Sequence, residues 1–157
     1  RYGESLELSQ QDTLVLLVNE RYKIPENLYI DHNVFQLASS NMITPDIRIY
    51  STEGSTPTLR VQFYTQEEKP VYDNMDFNWN YKNDTLRFDN YIKLAGQWRA
   101  QRVTLTLYLP ENKKVLLPSQ TSQYLRNLRD FDRGVRSRLN KDKILLIMQD
   151  GKLQPLM

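Results

Sequence analysis

Between Arg102 and Pro110 the chain alternates without a break: Val103, Leu105, Leu107 and Leu109 are apolar, and Arg102, Thr104, Thr106 and Tyr108 stand between them. A period of two puts the four apolar side chains on one face, so the stretch predicts a strand with one buried side. Pro110 has no N–H for a ladder and ends it. Glu111-Asn112-Lys113-Lys114 reads as a polar turn, and Val115-Leu116-Leu117 starts the next strand, the return of the first. The stretch describes scaffold and contains no chemistry.

Short strands are predicted through most of the chain. Leu14 to Val18 is a continuous apolar run, which suits a strand covered on both faces. Leu28-Tyr29-Ile30, Val34 to Ala38, Ile47 to Tyr50, Leu59 to Tyr64 and Asp84 to Phe88 are further strands, and Val71 to Tyr81 is an aromatic-rich segment. Ser51 to Pro57, with Gly54, predicts a hairpin loop, and Asp150-Gly151 predicts a hairpin turn after Ile144 to Met148. The tripeptide Asp-Thr-Leu occurs at both Asp12 and Asp84, as stacked equivalent rungs would allow. Only after Pro118 does the period change. Tyr124, Leu125, Leu128, Phe131, Val135 and Leu139 recur at helical spacing, which predicts one short helix over about 119–140 with Ser119 or Thr121 as N-cap. Residues 1–157 therefore read as a single all-β domain with one late helix and a closing hairpin over about 144–155; the strand pattern alone suits a stacked solenoid and a β-sandwich equally.

Composition narrows the functional classes. There is no cysteine, so disulfides and thiolate metal sites are excluded, and one histidine excludes histidine-rich sites. Twenty-one basic residues stand against 19 acidic ones, which leaves no nucleic-acid footprint. No apolar run reaches the length of a membrane span. The chain opens at Arg1 rather than at a methionine and is read as a piece of a longer protein, whose remainder is a place for a membrane anchor.

Each candidate site has a plainer structural reading. His32, between Asp31 and Asn33, reads as a turn residue. Asp73, Asp76, Asp84 and Asp89 surround the aromatic segment as sugar-hydrolysing carboxylates would, yet all lie at strand boundaries, where aspartate favours turns. Tyr72, Phe77, Trp79, Tyr81 and Trp98 suit a glycan or peptide platform, and suit sheet packing better. Asn83-Asp84-Thr85 fits the glycosylation pattern. From Arg126 to Lys143, seven basic residues against three acidic ones give an excess of +4. At about 100° per residue, Arg126, Arg129, Arg133 and Arg136 would share a helix face, a candidate surface for anionic lipid or an acidic partner. No catalytic, cofactor-binding or metal residues are assigned.

The run Trp98-Arg99-Ala100-Gln101-Arg102-Val103 through Tyr108-Leu109-Pro110, preceded by Asp84-Thr85-Leu86 and closed by Met148-Gln149-Asp150-Gly151-Lys152-Leu153, resembles the C-terminal domain of phage shock protein C-like (PspC) proteins of the kind found in Bacteroidetes. The resemblance covers Asp84 to Leu117 best, and the order of elements follows from Leu6 to Leu153. Two positions depart from it. Asn112 stands in the place of the turn glycine, which a left-handed asparagine tolerates, and Lys152 displaces the closing leucine.

The resemblance implies a toast-rack fold, in which short strands stack into a β-helix-like solenoid. It also implies a soluble, non-enzymatic sensing or interaction domain that follows a small membrane-embedded domain, lies on the periplasmic side of the inner membrane and serves envelope stress. The partners expected are a protein or further copies of the chain joined along strand edges, with the anionic membrane surface as another contact and without nucleic acid or a cofactor. The alternative is a β-sandwich that binds a glycan or cell-surface ligand.

Overall fold

The strand predicted from the Arg102–Pro110 alternation forms as expected, and the rest of the molecule is arranged around it. The computed structural model describes residues 2–8, 13–22, 34–37, 40–65, 75–95, 100–118, 121, 124–126 and 143–156. In chain order the strands are β1 (Tyr2–Glu7), β2 (Thr13–Asn19), β3 (Val34–Leu37), β4 (Ser40–Ile43), β5 (Asp46–Thr52), β6 (Thr58–Tyr64), β7 (Met75–Asp76), β8 (Trp79–Lys82), β9 (Thr85–Asp89), β10 (Ile92–Leu94), β11 (Arg102–Pro110), β12 (Lys114–Leu117), β13 (Ile144–Gln149) and β14 (Lys152–Pro155). They form three sheets: sheet A in the order β1-β6-β11-β5, sheet B in the order β14-β13-β12-β2-β9-β8, and sheet C in the order β3-β4-β10-β7.

The chain circulates among these sheets. From β1 it passes A to B to C and back to A at β5, and from β9 it passes B to C to A and back to B at β12. Between these two windings, β6, β7 and β8 run the other way, A to C to B. Pairing follows from the sense of travel. Strands on like-wound legs pair parallel in sheets A and B, as β11 does with β5, β2 with β9 and β12 with β2; in sheet C the β3–β4 hairpin reverses the chain, so β4 meets β10 antiparallel. The returning leg pairs antiparallel, β6 on β11, β7 on β10 and β8 on β9. The best-matched stretch of the sequence, Asp84 to Leu117, is thus one complete circuit of the three sheets. One apolar cluster fills the space they share, drawing Leu16, Leu86 and Val115 from sheet B, Ile43 and Ile92 from sheet C, and Leu59 and Leu107 from sheet A.

This winding corrects two expectations. Ser51 to Pro57 does not close a hairpin, because β11 lies between β5 and β6. Val103, Leu105, Leu107 and Leu109 are each no more than 1% exposed, and burying each contributes about 1.5–3 kcal/mol. Placing β11 between two partners outweighs direct pairing of β5 with β6, and the loop only spans its end. Nor does β12 return along β11. After Pro110 the chain turns through Asn112, at φ 71, and enters sheet B; asparagine in the left-handed region substitutes there for glycine, as anticipated.

β2 is central in sheet B, but only Leu14 and Leu16 are buried, while Val15, Leu17 and Val18 are half-buried. The Asp150-Gly151 hairpin forms, with φ 55 and 75 at its two turn residues. Asn83 and Asp84, at φ 53 and 57, make an equivalent turn between β8 and β9. The helix over about 119–140 lies outside the described residues except at Thr121 and Tyr124–Arg126. Thr121, one of the two expected caps, donates its hydroxyl to the Leu16 carbonyl at 2.8 Å. Leu125 forms a parallel bridge with Ile47 along the edge of sheet A. The strand expected at Leu28-Tyr29-Ile30 lies outside the described residues.

Candidate interaction surface

Two polar constellations stand out: one stitches a corner of the fold, and the other covers a sheet face. At the corner between sheets B and C, the ends of β2, β8 and β9 meet. Asp89, with its side chain 1% exposed, accepts hydrogen bonds from the Asn78 N–H at 2.8 Å, Arg21 Nη1 at 3.0 Å and Asn19 Nδ2 at 3.3 Å. Arg21 also grips Asp76 with both terminal nitrogens, at 2.9 and 2.8 Å. The Asn90 side chain donates to the Tyr22 carbonyl and accepts from the Tyr22 N–H. Asp76 and Asp89, two of the candidate sugar-site carboxylates, therefore converge on one guanidinium. A general acid needs its pKa raised, whereas the hydrogen bond from Arg21 holds the Asp76 carboxyl below its usual range. The corner is a structural pin. Asp84 sits apart, accepting from the Tyr81 hydroxyl at the β8–β9 turn, and Asp73 lies outside the described residues.

The outer face of sheet A is built differently. Inward positions of β5, β6 and β11 are apolar, so the alternate positions face outward, and the strand register arranges them in rows. One row holds Tyr64 beside Arg102, the next Gln62, Thr104 and Asp46, the next Arg60, Thr106 and Arg48, and the next Thr58, Tyr108 and Tyr50. The guanidinium of Arg102 lies 4.6 Å from the Tyr64 ring centre, and that of Arg60 lies 5.8 Å from the Tyr108 ring centre. Arg48 Nη1 donates to the Tyr50 hydroxyl at 3.5 Å, and the Tyr50 and Tyr108 rings lie 6.2 Å apart at 31°. Among the described residues none of these three arginines has an acidic partner. Arg60 and Arg102 are exposed and Arg48 is half-buried.

Of the basic face expected from sequence, Arg126 is committed elsewhere: its Nε donates to Asp46 at 3.0 Å and its N–H to the Ile47 carbonyl. It pins its own segment to the β5 edge. Arg129, Arg133 and Arg136 lie outside the described residues, as do His32, Tyr72, Trp98 and Arg99. The aromatic platform does not assemble from the other members, because Phe77 is buried and Trp79 and Tyr81 pack against the core. Among the described residues no cluster of three or more histidine, cysteine or acidic side chains could hold a metal. The sheet A face was overlooked in the sequence because its parts come from three separated strands. The available signal was the arginine or tyrosine on the polar face of Ile47–Tyr50 (Arg48, Tyr50), Leu59–Tyr64 (Arg60, Tyr64) and Arg102–Leu109 (Arg102, Tyr108).

In comparison with known proteins, the family described as "ToastRack found in some PspC" matches residues 30–155. No curated protein and no solved structure gives a match. The matched segment contains both the β9–β12 circuit and β5, β6 and β11, the three strands that carry the arginine–tyrosine face. The all-β, stacked-strand character of the family agrees with three sheets wound around one core rather than with a two-sheet sandwich.

Proposed function

This chain belongs to the toast-rack family found in some PspC proteins, and we propose from that premise that it is a non-enzymatic, membrane-tethered sensing or interaction domain of a phage-shock-type protein. The observation that supports an interaction role best is the outer face of sheet A. Among the described residues it sets three arginines without acidic partners, and three tyrosines, on a sheet packed against the core. Arginine and tyrosine are the residues that most often dominate binding at protein interfaces. The corner carboxylates point the other way from catalysis, since Asp76 is tied to Arg21. In this reading the tether places the domain on the periplasmic side of an inner membrane, and the sheet A face meets a protein partner there.

The test has two parts. Full-length protein expressed in its own host should sediment with membranes and resist extraction by carbonate, and this domain should be digested by protease in spheroplasts but not in intact cells. A photo-crosslinking residue placed at Thr104, on the arginine–tyrosine face, should yield adducts with protein in living cells, while one at exposed Lys82 on β8 should not. Full-length protein recovered only in the soluble fraction would remove the tether. Equal crosslinking from both positions, or none from Thr104, would remove the interaction face.

A further inference from the structure

The chemistry of the sheet A face says more about what it binds. Among the described residues its charged members are Arg48, Arg60, Arg102 and Arg126 against Asp46 and the β1 residue Glu7, which is four minus two, an excess of +2. Asp46 is already held by Arg126, so the excess falls on the other three arginines. Each is held against a tyrosine: Arg60 and Arg102 over rings, Arg48 against a hydroxyl. Guanidinium is weakly hydrated, stacks on aromatic rings and carries a fixed donor fork that matches a carboxylate. Contacts that fix the fork in advance lower the ordering cost of binding. Arg60 and Arg48 flank Thr106 in one row, so about 10 Å separates their backbones, and Arg102 stands two rows away, about 13 Å along the strand.

Resting on the reading of this face as a docking surface, we propose that it binds an acidic segment of a partner protein, with Arg48, Arg60 and Arg102 donating to the partner's carboxylates. The face is poorly suited to the other polyanions. A membrane-docking surface presents apolar side chains for insertion and a larger basic cluster, and the outward rows here hold threonine, glutamine, tyrosine, arginine and Asp46. Single-stranded nucleic acid stacks its bases on open aromatic rings, and the Tyr64 and Tyr108 rings already carry guanidinium groups. A set of arginines whose backbones stand about 10–13 Å apart, each held against a tyrosine, suits acidic side chains spaced along an extended segment, whose alternate residues recur every ~6.7 Å.

The probe is a fluorescein-labelled peptide of alternating glutamate and alanine, with a glutamine–alanine peptide as its neutral counterpart. Anisotropy with the 157-residue chain should show binding of the glutamate peptide only, weakening as salt rises. Arg60→Gln and Arg102→Gln should each weaken it about tenfold, the loss expected for one charge-assisted contact. Arg60→Lys should recover part of the affinity. Arg87→Gln, which removes an exposed arginine of the same charge from sheet B, should leave it unchanged. Equal weakening by Arg87→Gln would reduce the effect to net charge and overturn the proposal. Tighter binding to phosphatidylglycerol vesicles than to the peptide would overturn it in favour of a membrane. The Thr104 crosslink separates this inference from the one beneath it. Protein adducts that persist in the Arg60→Gln/Arg102→Gln variant keep the docking face and reject the acidic partner, whereas absence of adducts in the parent rejects both.

Discussion

Replacing Asp89 by alanine should cost the fold several times more than replacing Asp76, although the two carboxylates share Arg21 and the Asp76 contact is the shorter, two-pronged one. The Arg21–Asp76 pair is 2.8 Å long, but its side chains are 34% and 46% exposed. An ion pair so open to solvent contributes about 0.5–1 kcal/mol. Asp89 is 1% exposed and accepts three hydrogen bonds, from Arg21, the Asn78 backbone and the Asn19 amide. Those made to a buried anion contribute roughly 1.5–3 kcal/mol each in isolation, and deletion leaves the Asn78 N–H without its acceptor. Arg21 is not stranded, since it keeps Asp76 and water, so the loss stays at the lower end of the ~3–5 kcal/mol seen when a buried pair is broken. We expect about 3 kcal/mol for Asp89→Ala and under ~1 kcal/mol for Asp76→Ala. In a chain of 157 residues these correspond to falls in Tm of about 6–12 °C and at most ~4 °C. Urea unfolding followed by tryptophan fluorescence gives both numbers, and 1 M salt should erase the Asp76 effect while leaving most of the Asp89 effect. Equal costs for the two substitutions would refute the reasoning, because they would mean that contact geometry rather than burial sets the strength of the corner.

Alkali should unfold the protein through its buried tyrosines. Burial pushes the Tyr124 hydroxyl well above the usual tyrosine range, and raises Tyr91 and Tyr22 as well. Unfolded tyrosines release their protons near pH 10, so stability is full below about pH 10 and declines as pH rises past that value toward the folded pKa values; Tyr124→Phe should flatten the decline in urea midpoint above about pH 10. Gly151→Ala should cost about 1–2 kcal/mol from backbone strain alone, because φ is +75° and the nearest atom to the new methyl, Ser51 Oγ, is an ordinary 3.8 Å away. Gly54→Ala, outside the left-handed region and with only Thr52 Oγ1 at an ordinary 3.9 Å from the new methyl, should fall within ~0.5 kcal/mol of zero in the same unfolding assay. Thr121→Val should cost about 1–2 kcal/mol by taking the buried hydroxyl from the Leu16 carbonyl, and unchanged stability would mean that this link does not hold the 121–126 segment to the core.

How far the fold was legible depended on the range of the interactions involved. Val103 to Leu109 declared a strand and its buried face because alternation is a local property of the backbone. Asp150-Gly151 declared its turn because both positions need left-handed backbone, and Asn83-Asp84 makes the same turn with a weaker signal, two residues that tolerate φ > 0 without requiring it. Pairing is not local. Whether β6 binds β5 or β11 depends on a strand some forty residues further on, and no property of Ser51 to Pro57 reports it. The same holds for Tyr124 and Leu125. Their apolar character suggested a helix stripe, yet Tyr124 packs edge-on against Phe88 at 5.7 Å and Leu125 bridges to Ile47. A tertiary partner set the local backbone.

The candidate surface was harder to read for a related reason. A run of basic residues such as Arg126 to Lys143 is conspicuous in sequence, but charge is valuable for binding only when no partner within the fold has taken it, and Arg126 has been taken by Asp46. Arg48, Arg60 and Arg102 are inconspicuous singly, each a polar residue on the open side of a strand. Winding brings them together: β5 and β11 travel in the same sense and β6 returns against β11, which places the three strands side by side. Inward leucines and valines fix the register, and the register decides which arginine meets which tyrosine. A one-residue slip of β6 would exchange the outward Arg60 and Gln62 for the inward Val61 and Phe63. The buried side of sheet A therefore determines the chemistry of its exposed side, and a core substitution that shifted β6 would abolish the arginine–tyrosine face without touching any of its residues.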